Sequence, residues 1–350
     1  MNPEEIRIAI CGASGYTGGE LLRILGKHPH ARITAVTSER SAGKPVTDLF
    51  PHLHGRGALV FEPLDKQVLL DKADLFFMAL PHGASQEAVN FLHSNGKKVI
   101  DLSADYRLKN PDAYRRWYKH AHAFPETIKR AVYGLVEINR DKIPGATLIA
   151  NPGCYPTSIL LALYPAVKRG LIDTTHIVIN SASGVSGAGR KAETYYSFCE
   201  IHDSFRAYAV TSHRHTPEIE QELSIMAGCD TAVNFTPHLL PVNRGMLSTV
   251  CAPLLKNISQ QEMLDVYREF YDKEPFINVL RDGVFPDIRN VRGTNRCDLG
   301  LAVNERTKSL ILVSAVDNLV KGASGQAVQN MNLMCGFEET EALTDIAIVP

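Results

Sequence analysis

The 350-residue chain is expected to fold as a doubly wound α/β domain followed by an α+β domain. Three observations predict this. Short apolar runs alternate with helical periodicity through the first third. A glycine-spaced loop follows the first of those runs. After Cys154 the pattern changes to longer strand-like segments with fewer helices between them. The first rhythm is that of βαβ units on a parallel sheet, and the second that of a mixed or antiparallel sheet.

Taken in order, residues 6–11 read as a strand, 19–27 as a helix and 32–37 as a strand. Residues 74–80 are a strand, 85–94 a helix, 98–103 a strand, and 146–150 a strand that ends in Asn151-Pro152-Gly153. That tripeptide stops a strand and forces a sharp turn. Residues 157–167 then read as a helix, 176–183 as a strand and 216–226 as a helix. Residues 232–239 and 246–254 are strand-like, 259–271 helical, and 298–304 with 309–316 an antiparallel pair. Residues 318–334 are helical and are expected to pack back on the first domain. The expected division is 1–150 for a dinucleotide-binding domain, completed by 318–350, and 151–317 for a catalytic and oligomerisation domain.

Composition sets wide bounds. With 45% hydrophobic and 21% charged residues and a formal net charge of -1, the chain is an ordinary globular protein without the basic excess that nucleic acid or anionic lipid would require. Its 7 cysteines are scattered with no CxxC pair, so neither a disulfide framework nor a metal site is expected. Reduced thiols point to the cytoplasm. Cys11 and Cys251 lie in apolar runs and read as core, whereas His28, His30, His52 and His54 read as surface. Residues 1–6 are polar and acidic, so no secretory signal is expected, and no apolar stretch is long enough to span a bilayer.

Gly12-Ala-Ser-Gly15-Tyr-Thr-Gly18 stands between a strand and a helix, the context a dinucleotide fingerprint needs. Gly12 would allow the tight turn, Gly15 the approach of pyrophosphate, and Gly18 close packing of the helix. The N–H groups of Ser14, Gly15, Tyr16 and Thr17 would receive phosphate oxygens. After the second strand the chain reads Thr37-Ser38-Glu39-Arg40. On an extended segment Ser38 and Arg40 share one side and would face a ribose 2′-phosphate, with Glu39 turned away. This favours NADP(H) over NAD.

Cys154 follows Asn-Pro-Gly at the expected start of a helix. There the positive end of the helix dipole favours a thiolate, which attacks carbonyl carbon, while first-turn N–H groups stabilise an oxyanion. An inert, buried cysteine suits the same run equally well. His213 and His215 precede a helix with Thr216 as cap and Pro217 at its first turn, and either ring would take the thiol proton while Glu218 orients it. The loop Ser183-Gly184-Val-Ser-Gly-Ala-Gly-Arg190 would cradle an anion through its N–H groups with Arg190 as clamp. Arg107, Arg244 and Asn151 complete the candidates for holding substrate.

These runs, together with Asp317-Asn318-Leu-Val-Lys-Gly-Ala323, resemble the N-acetyl-γ-glutamyl-phosphate reductase family along nearly the whole chain. The resemblance implies an NADP-binding Rossmann domain plus a glyceraldehyde-3-phosphate-dehydrogenase-like catalytic domain. It implies Cys154 as nucleophile, the His-Arg-His run as source of the base with His213 preferred over His215, and Asn318 near the nicotinamide. Homodimers or homotetramers are expected. The same chemistry on carrier-linked aminoadipyl phosphate or on aspartyl phosphate is the neighbouring alternative, and a non-catalytic NADP-binding module the remote one.

Overall fold

The computed structural model describes residues 5–55 and 58–349. They divide into two compact units, Met1–Pro152 with Ala323–Thr344, and Gly153–Gly322 with the residues from Asp345 on. The chain therefore returns to the first unit only at Ala323, and its last few residues belong to the second.

In the first unit, β1 (Ile6–Cys11), β2 (Ala31–Val36), β3 (Leu75–Met78), β4 (Lys98–Asp101), β5 (Val132–Tyr133) and β6 (Leu148–Ala150) form a parallel sheet in the order β2-β1-β3-β4-β6-β5. The order reverses between β1 and β3, which is where doubly wound sheets take their ligands. Helices Tyr16–Leu25, Gln86–Ser94 and Gly325–Cys335 belong to this unit. One core cluster contains Ala9, Cys11, Phe76, Met78, Val89, Leu92, Val99 and Leu148.

In the second unit, β7 (Ile177–Gly184), β8 (Arg206–Ala207), β9 (Val233–Leu240), β10 (Met246–Pro253), β11 (Ile277–Val279), β12 (Cys297–Asn304) and β13 (Ser309–Val316) form a mixed sheet. Its order is β11-β12-β13-β10-β7-β9-β8, with β12, β13, β10 and β7 antiparallel in turn and β9 parallel to β7. Helix Cys154–Lys168 is buried almost all round and packs on β10 and β13. Helices Thr216–Ala227 and Gln260–Tyr271 pack on it in turn. Tyr267 donates from its hydroxyl to the Ala162 carbonyl at 2.6 Å.

Several local expectations need correction. The first helix starts at Tyr16 and the buried one at Cys154, each about one turn earlier than periodicity indicated. Pro156 lies in the first turn, where its missing N–H costs no helical bond. Cys251 is exposed, because on β10 Val250 and Ala252 face the core and the alternation turns Cys251 to the open face. His28 is buried, with Nε2 2.9 Å from Asn332 Oδ1, and burial lowers its pKa. Thr216 is the first helical residue and not the cap, a place that His215 takes without its side chain capping the helix. Among the described residues no helix is long and apolar enough to cross a membrane.

Candidate active site

In the first unit, the glycine loop has the geometry that a dinucleotide pyrophosphate needs. Gly12 has φ of +84°, and a Cβ there would stand 2.4 Å from the Ala79 carbonyl oxygen. At Gly18 a Cβ would lie 2.5 Å from Ala13 Cα, whereas at Gly15 it would meet nothing closer than 3.6 Å. Two glycines are thus demanded by protein contacts, and the middle one leaves open room at the helix start. Gly15 caps the helix in extended conformation, so Tyr16 and Thr17 open its first turn. The Thr17 carbonyl accepts from the Ser324 hydroxyl at 3.0 Å.

Beyond β2 the chain does not stay extended. It turns through Glu39 and Arg40, so the expected alternation of Ser38 with Arg40 does not occur. Ser38 is buried and donates to Ser14 Oγ at 2.8 Å, while its own oxygen accepts the Ser41 N–H at 3.2 Å. Glu39 Oε1 accepts the Leu64 N–H at 2.9 Å, which engages the one acid at the position where NAD-specific sites hold ribose. Arg40 is exposed.

Arg107 and Asn151 are both buried in this unit. The Arg107 guanidinium donates to the carbonyls of Asn151 at 2.8 Å and Leu102 at 2.9 Å. Asn151 donates to the Ala323 carbonyl at 3.0 Å and accepts from Asn330 at 3.3 Å. These bonds brace the turn ahead of Cys154.

In the second unit, Cys154 is half-buried as the first residue of its helix. Helix geometry gives the N–H groups of Cys154 and Tyr155 no intrahelical acceptor, and Pro156 has none to offer. Just ahead, the Gly153 N–H donates to Glu218 Oε1 at 2.8 Å, with Glu218 1% exposed. Glu218 therefore braces the main chain of the thiol turn. Tyr155 and Tyr208 meet hydroxyl to hydroxyl at 3.0 Å. Burial raises both phenols well above their usual range, and the nearby Cys154 charge raises them further, so both stay neutral.

The two histidines flank Tyr155, with ring centroids 5.2 Å away for His213 and 5.9 Å for His215. The chain between them turns instead of running extended, closed by the Thr216 N–H on the His213 carbonyl at 3.0 Å. His213 Nδ1 accepts the His215 backbone N–H at 3.1 Å, which leaves its proton on Nε2, 3.4 Å from the Tyr208 hydroxyl. Burial, helped by the Arg214 charge, pushes the His213 pKa down to about 4.

The 183–190 loop does not form the expected cradle. The N–H groups of Gly184, Val185 and Ser186 donate to the carbonyls of Gly245, Val242 and Asn243. Gly184 is required because a Cβ there would come within 2.9 Å of Asn243 backbone. Ser183 is buried with its hydroxyl on the Gly184 carbonyl at 3.1 Å. Asn318 fixes this loop, accepting the Gly245 N–H and donating to Ser186 Oγ, both at 2.9 Å. It precedes the wide turn Val320–Ser324 instead of opening the last helix. Arg244 lies 3.5 Å from the buried carboxylate of Asp317, and Arg190 is exposed.

Tyr208 was not singled out by its local sequence, and Asp317 and Gly322 entered only as members of the run 317–323. Gly322 is the sharpest case, since a Cβ there would lie 2.8 Å from the Cys154 Cβ. Gly322→Ala is therefore expected to displace the thiol and lower kcat by about 100-fold while the Kd for dinucleotide stays unchanged. Steady-state rates beside fluorescence titration of the cofactor check this.

Residues 7–146 match the family described as semialdehyde dehydrogenase, NAD binding domain, and 154–318 the semialdehyde dehydrogenase dimerisation domain. The N-acetyl-gamma-glutamyl-phosphate reductase of Geobacter sulfurreducens is 53% identical over 99% of this chain and 100% of its own length. That of Pelotomaculum thermopropionicum is 50% identical over 99% of each. Among solved structures, aspartate semialdehyde dehydrogenase II of Vibrio cholerae shares the fold at a TM-score of 0.73 with 18% identity, covering 94% of this chain and 98% of that one. With both domain families matched and half its residues shared end to end with those reductases, this chain belongs to the N-acetyl-gamma-glutamyl-phosphate reductase family.

Proposed function

We propose that this protein reduces N-acetyl-γ-glutamyl phosphate with NADPH to N-acetylglutamate semialdehyde and inorganic phosphate, a step of arginine biosynthesis. The observation that carries the chemistry is the half-buried Cys154 thiol on the first residue of a buried helix, next along the chain to Tyr155, whose ring is flanked by His213 and His215. A thiolate there attacks the γ-carbonyl carbon, the C–O bond to phosphate breaks with its electron pair on the departing phosphate, and a thioester forms on Sγ. The first-turn N–H groups receive the negative charge on the carbonyl oxygen.

Bound NADPH supplies the hydride that reduces the thioester carbonyl. The loop with a +84° turn at Gly12 and open room at Gly15 fits its pyrophosphate, and with Glu39 engaged by Leu64 the exposed Arg40 is the candidate for the 2′-phosphate, beside Ser38, which is bonded to Ser14. The base that takes the Cys154 thiol proton at the outset gives it to the carbonyl oxygen as hydride adds and takes it back as the hemithioacetal collapses, the C–S bond breaking with its electron pair on Cys154. We assign that base to His215, because His213 is locked on the His215 main chain and protonates only near pH 4. His213 then acts as a positioning residue that sets the turn carrying His215. Arg190 and Arg244 are the candidates for the substrate's anionic groups.

Arg40→Glu is expected to raise the Kd for NADPH by about tenfold, the equivalent of about 1.4 kcal/mol, and to leave that for NADH unchanged. Titrations of the two cofactors against wild type and variant decide this. Assembly through the 154–318 domain and a cytoplasmic location belong to the same reading, supported by the dimerisation-domain match and by cysteines that form no disulfide. The decisive assay is phosphate-dependent reduction of NADP by N-acetylglutamate semialdehyde. Turnover confined to a carrier-linked acyl substrate, or to aspartate semialdehyde, would sink the assignment.

A further inference from the structure

A buried row of three short oxygen–oxygen contacts in the first unit needs one proton more than its two serines provide. Asp101 ends β4, and Ser103 and Asp105 follow it in the next loop. Ser85 lies in the loop after β3. All four side chains are buried, at most 1% exposed. Asp105 Oδ2 lies 2.8 Å from Ser85 Oγ, Ser85 Oγ 2.7 Å from Ser103 Oγ, and Ser103 Oγ 2.7 Å from Asp101 Oδ2.

Three short oxygen–oxygen contacts need three protons, and two hydroxyls carry two. With both acids ionised, each serine would donate to its neighbouring carboxylate, and the two buried serine oxygens would face each other with no proton between them. The remaining donors do not fill this gap. Asp105 accepts the Gly83 N–H on both oxygens, at 2.8 Å on Oδ1 and 3.0 Å on Oδ2, and the Tyr114 hydroxyl on Oδ1 at 2.7 Å, so it is the acceptor end of the chain. Asp101 Oδ1 accepts the Ser103 N–H at 3.1 Å, and Ser103 Oγ accepts the Asp105 N–H at 3.1 Å. Asp101 Oδ2 is the one oxygen left to carry the third proton.

We propose that Asp101 is a protonated carboxylic acid at mildly acidic pH and serves as a positioning residue, donating along Asp101–Ser103–Ser85–Asp105 to lock together the two loops that follow β3 and β4. In this arrangement every hydroxyl donates once, and each of the three contacts holds one proton. Burial, and then the Asp105 charge, pushes the Asp101 pKa up to about 7, in the same direction as the proton count. The other titratable groups around the chain are accounted for. Arg107 opposes the shift but is bonded to two carbonyls, and the Tyr106 hydroxyl donates to the Gln86 carbonyl. His82 Nδ1 accepts the Ala104 N–H, His120 faces the Tyr114 hydroxyl at 3.5 Å, and His122, near Asp105, has its pKa lowered by burial.

The consequence falls on cofactor binding, and here the inference rests on the dinucleotide reading of the Gly12 loop. The loop after β3 begins at Ala79, the residue whose carbonyl Gly12 abuts. Loss of the Asp101 proton removes one link and sets a second negative charge near Asp105, loosening that loop. The sign for stability follows from linkage. An acid whose pKa is higher in the fold contributes its stabilisation fully at low pH and loses it as pH rises through about 7.

Asp101→Asn keeps a donor at the same place and cannot ionise, so it is the test. Between pH 6 and 8.5 the wild-type Kd for NADPH should rise by about tenfold and its Tm should fall relative to the variant. D101N should bind NADPH at pH 6 as wild type does and show neither trend. Parallel pH slopes in the two proteins, or a D101N chain that does not fold, would overturn the proposal. Infrared spectra of the wild type without cofactor provide a readout independent of NADPH. A protonated-carboxyl carbonyl band present at pH 6 and lost at pH 9 supports the assignment, and its absence at pH 6 refutes it. That readout also separates failure here from failure of the dinucleotide reading.

Discussion

Cys154→Ser is expected to lower turnover by at least about 10⁴-fold while leaving NADPH affinity unchanged. The asymmetry follows from where the atom lies. Cys154 is in the second unit, and the glycine loop with Ser14 and Ser38 is in the first, so the substitution alters no group of that loop. A serine hydroxyl on the same first helical residue does not ionise near neutral pH. Its acyl ester would also accept hydride poorly, because oxygen donates to the carbonyl more strongly than sulfur does. The volume change is small, so the helix should keep its packing on β10 and β13. Incubation with the acyl phosphate in the absence of NADPH should release phosphate stoichiometrically from wild type and none from the variant. Near-normal turnover in C154S would exclude the thioester route.

The second large effect separates the histidines. His215→Asn is expected to reduce kcat/KM by about 10²–10⁴-fold and to change the acid limb of the pH–rate profile. His213→Asn should reduce it less and leave that limb in place, since a ring with a pKa of about 4 is already neutral across the working range. His213 has a separate stability signature. Its pKa is lower in the fold than the ordinary value of 6.5, so its stabilisation is present above pH 6.5 and is lost as pH falls toward 4. Thermal unfolding of H213N should therefore show a weaker acid dependence over that window than wild type. An unchanged limb in H215N with a shifted one in H213N would reverse the assignment.

Much of this molecule was legible along the chain because its signals are local. β1 was read at its observed bounds, and most other strands to within about two residues, from apolar runs bounded by turn residues. The glycine loop, the Asn-Pro-Gly turn and the His-Arg-His run each stood out through residue type and spacing, while the roles expected of the thiol and the histidines came with the family resemblance. Where the reading failed, contacts distant in sequence decided. Cys251 was placed in a core because periodicity does not tell which face of β10 is covered. The 183–190 loop looked like an anion cradle because nothing in it shows that residues 242–245 take up its N–H groups.

The amino-acid order alone determined most strands of the two sheets, the glycine loop and the strand-to-helix turn that carries Cys154, since strand period, glycine spacing and turn residues are properties of neighbouring residues. The tertiary structure decided which groups remain available for chemistry. It engaged Glu39 with Leu64, Arg107 with Asn151 and His213 with the His215 main chain, and it placed Gly322 against Cys154. It also joined Ser85 to Asp101 through Ser103, a proton count that no stretch of sequence contains. A donor or acceptor is spent or spared only by the partner that folding brings to it, and most of these partners lie dozens of residues away.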